Sequence, residues 1–160
     1  MKFRKEPNGA TRQECSPASR MKTVLMLEDD PHCAEMLRQF LTSHSFQVTW
    51  VTNGADGVRK VLDQDFDIVL CDLAMPHLPG DMFYMAVERT KAHLCHRFVF
   101  MTGYAANPKY EAFIRKVNAP VLFKPFSLSD LLNMIDLILI RSCAYKPKTR
   151  NLPELMCAGV

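Results

Sequence analysis

The sequence predicts an α/β fold, a doubly wound parallel sheet built from five βα units with helices on both faces. Three observations carry this. Between residues 22 and 140, short apolar runs alternate with amphipathic stretches of helical period. The runs are nearly continuous in apolar residues, as strands buried on both faces require. Each is separated from the next by a helical stretch, so the connections are crossovers rather than hairpins.

Taken in order, "TVLML" (23–27) is the first strand and stops at "EDDP". Pro31, preceded by Asp30 as a cap, opens a helix whose inward face is Cys33, Met36, Leu37, Phe40 and Leu41. "FQVTWV" (46–51) is the second strand, and "GADGVRKVLDQD" is a helix expected to carry Ala55, Val58, Val61 and Leu62 inward. "DIVLCD" (67–72) is the third strand. After a Pro/Gly loop, the third helix runs through "DMFYMAVERTKA". "RFVFMT" (97–102) leads into "NPKYEAFIRKV", where Tyr110, Phe113, Ile114 and Val117 repeat the helical spacing. "PVLFK" (120–124) and "SLSDLLNMIDLILIRS" complete the series. In that last helix Leu131, Leu132, Met134, Ile135, Ile138 and Leu139 form a broad inward arc. Leu137 and Ile140 are left near the polar side, either as a docking surface or beneath the tail "NLPELMCAGV".

Composition bounds the rest. The 160 residues are 48% hydrophobic and 23% charged, ordinary for one globular domain. The longest apolar run, 131–140, is interrupted by Asn133 and Asp136 and is too short to span a bilayer. The N-terminus has basic residues but no apolar core, so no secretory signal is expected and the chain is read as cytoplasmic. Six singly spaced cysteines point to reduced thiols. The net charge of +3 is uneven: residues 1–20 carry five Lys/Arg against two Glu, and residues 141–160 carry four against one. The expected organisation is a basic, disordered extension at 1–20, one acidic folded domain at 21–141, and a basic tail at 142–160 with no output domain. Because "MKTVLMLEDDP" reads as a complete domain start at Met21, residues 1–20 are expected to be a dispensable extension, an upstream start or a disordered tail.

Function is expected where the strands end, since open α/β sheets bind ligands at the carboxyl edge. There the third strand ends on a lone carboxylate, Asp72, which is expensive to bury unless paired. With the flavodoxin-like strand order 2-1-3-4-5, strands one and three are neighbours about 4.8 Å apart, which gathers Glu28, Asp29 and Asp72. Three such carboxylates repel without a cation, and an oxygen-only set at an open rim suits Mg²⁺. Thr102 and Lys124, from strands four and five, lie on the other side of Asp72. A hydroxyl and an ammonium around a carboxylate form a pocket for a phosphoryl group, with Asp72 as in-line nucleophile.

These ordered motifs, "LEDDP", "CDLAMPHLPG", "MTGY" and "LFKPF", resemble the phosphoacceptor receiver domain of two-component response regulators over about residues 22–140. The resemblance implies phosphorylation of Asp72 by a histidine kinase or histidine phosphotransfer protein. It implies Mg²⁺ held by Asp29, Asp72 and the backbone carbonyl of Ala74, with Glu28 acting mainly through water. Thr102 and Lys124 would grip the phosphoryl oxygens. Phe126 and a Lys124-Pro125 bond, often cis in that family, would hold the lysine. Signalling would pass to a protein target, or to a second copy, through the face of helix 4, strand 5 and helix 5.

The sequence departs from the family pattern in three places. Val121 stands where an aromatic residue usually swings with the threonine, leaving Phe123 or Tyr104 to replace it. Ala74 has no side chain to orient water and Tyr104 can cover the phosphoryl group, so slow self-dephosphorylation is expected. The chain after Arg141 is too short for a helix-turn-helix domain, so it is a stand-alone receiver or a fragment of a hybrid kinase or multidomain regulator. Other classes fit less well. An aspartyl-phosphate phosphatase or mutase usually carries a second acid two residues after its nucleophile, where this chain has Ala74. The intact acidic cluster argues against a phosphorylation-independent binding module. The basic tails offer no specific nucleic-acid reading. The His/Cys stretch at 93–96 lacks a distant partner for zinc and is expected to be a loop.

Overall fold

The computed structural model describes residues 20–103, 108–117 and 119–144. Its elements are β1 (Lys22–Leu27), α1 (Pro31–Ser43), β2 (Phe46–Val51), α2 (Gly54–Asp63), β3 (Ile68–Asp72) and α3 (Gly80–Thr90), then β4 (Phe98–Thr102), α4 (Pro108–Val117), β5 (Val121–Phe123) and α5 (Leu128–Ala144). All strand pairs are parallel and the order is β2-β1-β3-β4-β5. The expected topology is therefore the observed one, and every strand delivers its carboxyl end to a single edge.

Period-two alternation divides the strands between two cores. Leu25, Leu27, Val69, Cys71, Phe98 and Phe100 face α2, α3 and α4, where Val61, Phe83, Val87 and Tyr110 meet them. Val24, Met26, Ile68, Leu70, Val99 and Met101 face α1 and α5, against Leu37, Leu41, Leu131, Ile135 and Ile138. Burying one such side chain contributes roughly 1.5–3 kcal/mol, so β3 and β4, buried at every position, anchor the molecule. Cys71 points into the first core, away from the Asp72 side chain, as strand alternation requires.

The helix starts follow from local chemistry. Asp30 caps α1 by accepting from the N–H groups of His32 and Cys33, with Pro31 in the first turn. Asn53 caps α2 through the Asp56 N–H at 2.9 Å.

Two expectations about helix faces and one about a loop are corrected. In α1, Met36 is exposed and Ala34 is buried instead. In α2, Ala55 and Leu62 face outward, and the buried stripe is Gly54, Gly57 and Val61. The helix lies too close to its neighbours for side chains there. A Cβ at Gly57 would fall 2.6 Å from Leu27 Cδ2, and one at Gly54 2.5 Å from the Leu78 carbonyl. Residues 93–96, expected to be a loop, lie in a 3-10 helix that spans Ala92–Arg97. His93 is occupied there, its Nε2 2.7 Å from Asp65 Oδ2. The α5 arc is as expected, with Leu131, Ile135 and Ile138 buried and Leu137 and Ile140 exposed.

Candidate functional site

The topology brings the predicted carboxylates together. β1 and β3 are direct neighbours, in register from Val24 with Ile68 to Leu27 with Cys71. The residues that follow, Glu28 and Asp29 on one strand and Asp72 on the other, therefore emerge side by side. Their carboxylate oxygens lie within 4.8 Å of one another. Glu28 and Asp72 are buried, whereas Asp29 is exposed. Among the described residues this is the one cluster of three potential metal-ligating side chains, and the His/Cys stretch at 93–96 forms none.

Lys124 reaches into this cluster from the end of β5. Its Nζ donates to Glu28 Oε2 and to Asp72 Oδ2, both at 2.6 Å. The pairing with Asp72 was expected from sequence. The equal bond to Glu28, 96 residues away along the chain, was not. Burial raises the pKa of Glu28 above the usual carboxylate value, and its bonds to Lys124 only partly oppose this. Burial works against the Lys124 ammonium, but its hydrogen bonds to Asp72 and Glu28 outweigh that and hold its pKa above the ordinary lysine value.

The loop after β3 folds back on Asp72. The Ala74 N–H donates to Asp72 Oδ1 at 2.8 Å, so one carboxylate oxygen is held by backbone and the other by Lys124. His77 takes a left-handed conformation with φ of 63°, uncommon for a residue with a side chain. Gly80 closes the loop, its N–H donating to the Leu73 carbonyl at 3.2 Å. A Cβ at Gly80 would sit 2.4 Å from the Asp72 carbonyl oxygen, so the backbones touch where only glycine fits.

The remaining predicted residues take these places. Thr102 ends β4 and is buried on the same edge, next to β5 through its register with Phe123. The Lys124 N–H donates to the Thr102 carbonyl at 2.8 Å, which ties the two residues together. The Lys124-Pro125 bond is cis, and Phe126 packs on the α1/α5 core. Val121 is half-buried against the other core, and Phe123 is exposed. Tyr104 lies outside the described residues.

Two neighbours of Glu28 are not legible as such in the sequence. The Cys33 thiol lies 3.5 Å from Glu28 Oε2 and is pushed up to about 11 by burial and by that carboxylate, so it stays a neutral donor. Trp50 contacts the Glu28 backbone. Apolar period places Cys33 only on the buried helix face and Trp50 only in a strand.

An open α/β sheet that gathers three carboxylates and one lysine at its carboxyl edge defines a site for an anionic group held beside a cation. The family model of the response regulator receiver domain matches residues 24–136. The chain belongs to that family, the phosphoacceptor signalling modules of two-component systems. It is 34% identical over 123 residues to the response regulator receiver protein CpdR of Brucella abortus, covering 75% of this chain and 98% of that protein. Several longer curated relatives are matched over only 12% to 25% of their own length.

Solved structures share the fold. A CheY-like receiver domain from Methanospirillum hungatei has a TM-score of 0.72 at 21% identity, over 78% of this chain and 98% of that one. The receiver domain of a Pseudomonas aeruginosa sensor histidine kinase, described with a magnesium ion coordinated in its active-site cleft, has a TM-score of 0.68 at 22% identity. That match covers 75% of this chain and 98% of that one.

Proposed function

We propose that Asp72 is the phosphoacceptor of this receiver and that Glu28, Asp29, Asp72 and the Ala74 carbonyl form its Mg²⁺ site. The observation that carries the reading is the double contact of Lys124 with Glu28 and Asp72 at the sheet edge, beside a carboxylate set of hard oxygen donors. That donor set fits Mg²⁺, and the magnesium ion coordinated in the active-site cleft of the Pseudomonas receiver supports the same choice. Bound there, Mg²⁺ would neutralise negative charge on the phosphoryl oxygens.

The chain's own residues do the rest. The donor is a phosphohistidine of a histidine kinase or phosphotransfer protein. An Asp72 oxygen attacks its phosphorus, an O–P bond forms as the N–P bond breaks, and the freed imidazole leaves with the electron pair. Ala74 N–H and Lys124 orient the attacking carboxylate, and Lys124 and the Thr102 hydroxyl stabilise the transferred group. The chemistry is confined to the protein's own phosphorylation and dephosphorylation, and the product acts through protein contacts in the cytoplasm.

The receiver is proposed to occupy about residues 21–141, with α5 continuing three residues further to Ala144, between basic N- and C-terminal stretches. Among the described residues no helix is long and apolar enough to cross a membrane.

The test is incubation with a small-molecule phosphodonor and Mg²⁺, followed by intact mass. Wild type gains one phosphoryl group and Asp72→Asn gains none. Equal labelling of the variant, or no labelling of wild type, overturns the assignment.

A further inference from the structure

Trp50 is the chain's single tryptophan, and its indole Nε1 donates to the backbone carbonyl of Glu28 at 2.8 Å. The course of the neighbouring strand explains this contact. Glu28 lies one residue beyond β1 yet still extends the ladder with β2, its N–H donating to the Val51 carbonyl at 3.1 Å. In a continuing parallel ladder the Glu28 carbonyl would next accept from the N–H of Asn53. By then β2 has ended, because Asn53 caps α2. The indole therefore supplies a donor at the point where the strand leaves the ladder.

The carbonyl so held belongs to the peptide that joins Glu28 to Asp29, the two adjacent acids of the cluster. Glu28 is thus fixed at its backbone by Trp50 and Val51, and at its carboxylate by Lys124 and the Cys33 thiol. We infer that Trp50 is a positioning residue for the cation site. By fixing the Glu28–Asp29 peptide, it sets the directions in which the two carboxylates leave the backbone. The inference rests on the proposed Mg²⁺ site. Mg²⁺ tolerates little departure from octahedral geometry, so a rotation of that peptide is felt at the ion. Loss of a hydrogen bond that orients ligands typically weakens metal binding about 10- to 100-fold.

Trp50→Phe keeps an aromatic ring against the α1/α5 core, where Trp50 packs, but removes the N–H. Val48→Ala, on the same strand and packed on the same core, is the control for packing loss alone. Mg²⁺ is titrated into the full chain of wild type and both variants by calorimetry, with urea unfolding measured alongside. Trp50→Phe is expected to weaken Mg²⁺ binding about tenfold, and Val48→Ala to leave it within about twofold. In wild type the lone indole N–H resonance moves with the same Mg²⁺ midpoint as the heat. Equal affinity of Trp50→Phe and wild type, or a parallel loss in Val48→Ala, overturns the role of Trp50 and leaves the cation site standing. A wild-type chain that takes up no Mg²⁺ overturns the site and this role together.

Discussion

Lys124 is the residue on which the site's electrostatics turn. It compensates two buried carboxylates at once, and removing one partner of a buried pair leaves uncompensated charge. Lys124→Met is expected to lower stability by about 3 kcal/mol in urea unfolding at neutral pH. Adding Asp72→Asn should restore part of that loss, because one of the two opposed charges is then gone. At the opposite end of the strands, Asp67 binds the Thr23 N–H at 2.9 Å and faces Arg20 and Lys22. Burial works to raise its pKa, but the Thr23 N–H and the two cations hold it below the usual value of 3.8. Its stabilising contribution is therefore present above pH 3.8 and is lost as pH falls through the depressed folded value. Asp67→Asn should lower the urea midpoints above about pH 4 and converge with wild type as pH falls below it, which flattens the acid limb of the stability profile.

Among the elements, the loop between β3 and α3 is tightly constrained. Gly80 leaves no room for a methyl group beside the Asp72 backbone. Gly80→Ala is expected to cost about 1–3 kcal/mol in urea unfolding and to slow phosphodonor labelling, because the loop that supplies the Ala74 N–H must shift. This loop and α2 also show what the sequence could not carry. Strands, helix starts and the edge that gathers Glu28, Asp29, Asp72, Thr102 and Lys124 were legible, because apolar period, capping residues and α/β topology act locally or by general rule. The α2 face was misread because apolar periodicity weighs side chains, whereas Gly54 and Gly57 are buried through their lack of one. The Lys124 bond to Glu28 and the Trp50 contact were illegible for another reason. Both join side-chain reach to a strand end, which spacing along a chain does not encode.

Across the whole molecule, exposed apolar residues include one on β5 beside the site residue Lys124 and two on α5. Phe123, Leu137 and Ile140 stand exposed on β5 and α5. If this surface receives the partner, Ile140→Arg should leave labelling of Asp72 at the wild-type rate while abolishing phosphorylation-dependent association, measured by sedimentation velocity with and without phosphodonor. The strand order also has a kinetic side. Every neighbouring pair is parallel, so no two strands can pair before a crossover segment is in place, and non-local pairing of this kind slows folding. The contacts of Lys124 with Asp72 and Glu28 close loops of 52 and 96 residues. A nascent chain thus lacks its central ion pair until β5 has joined the sheet, and the acidic edge reaches its working form only when the last strand is home.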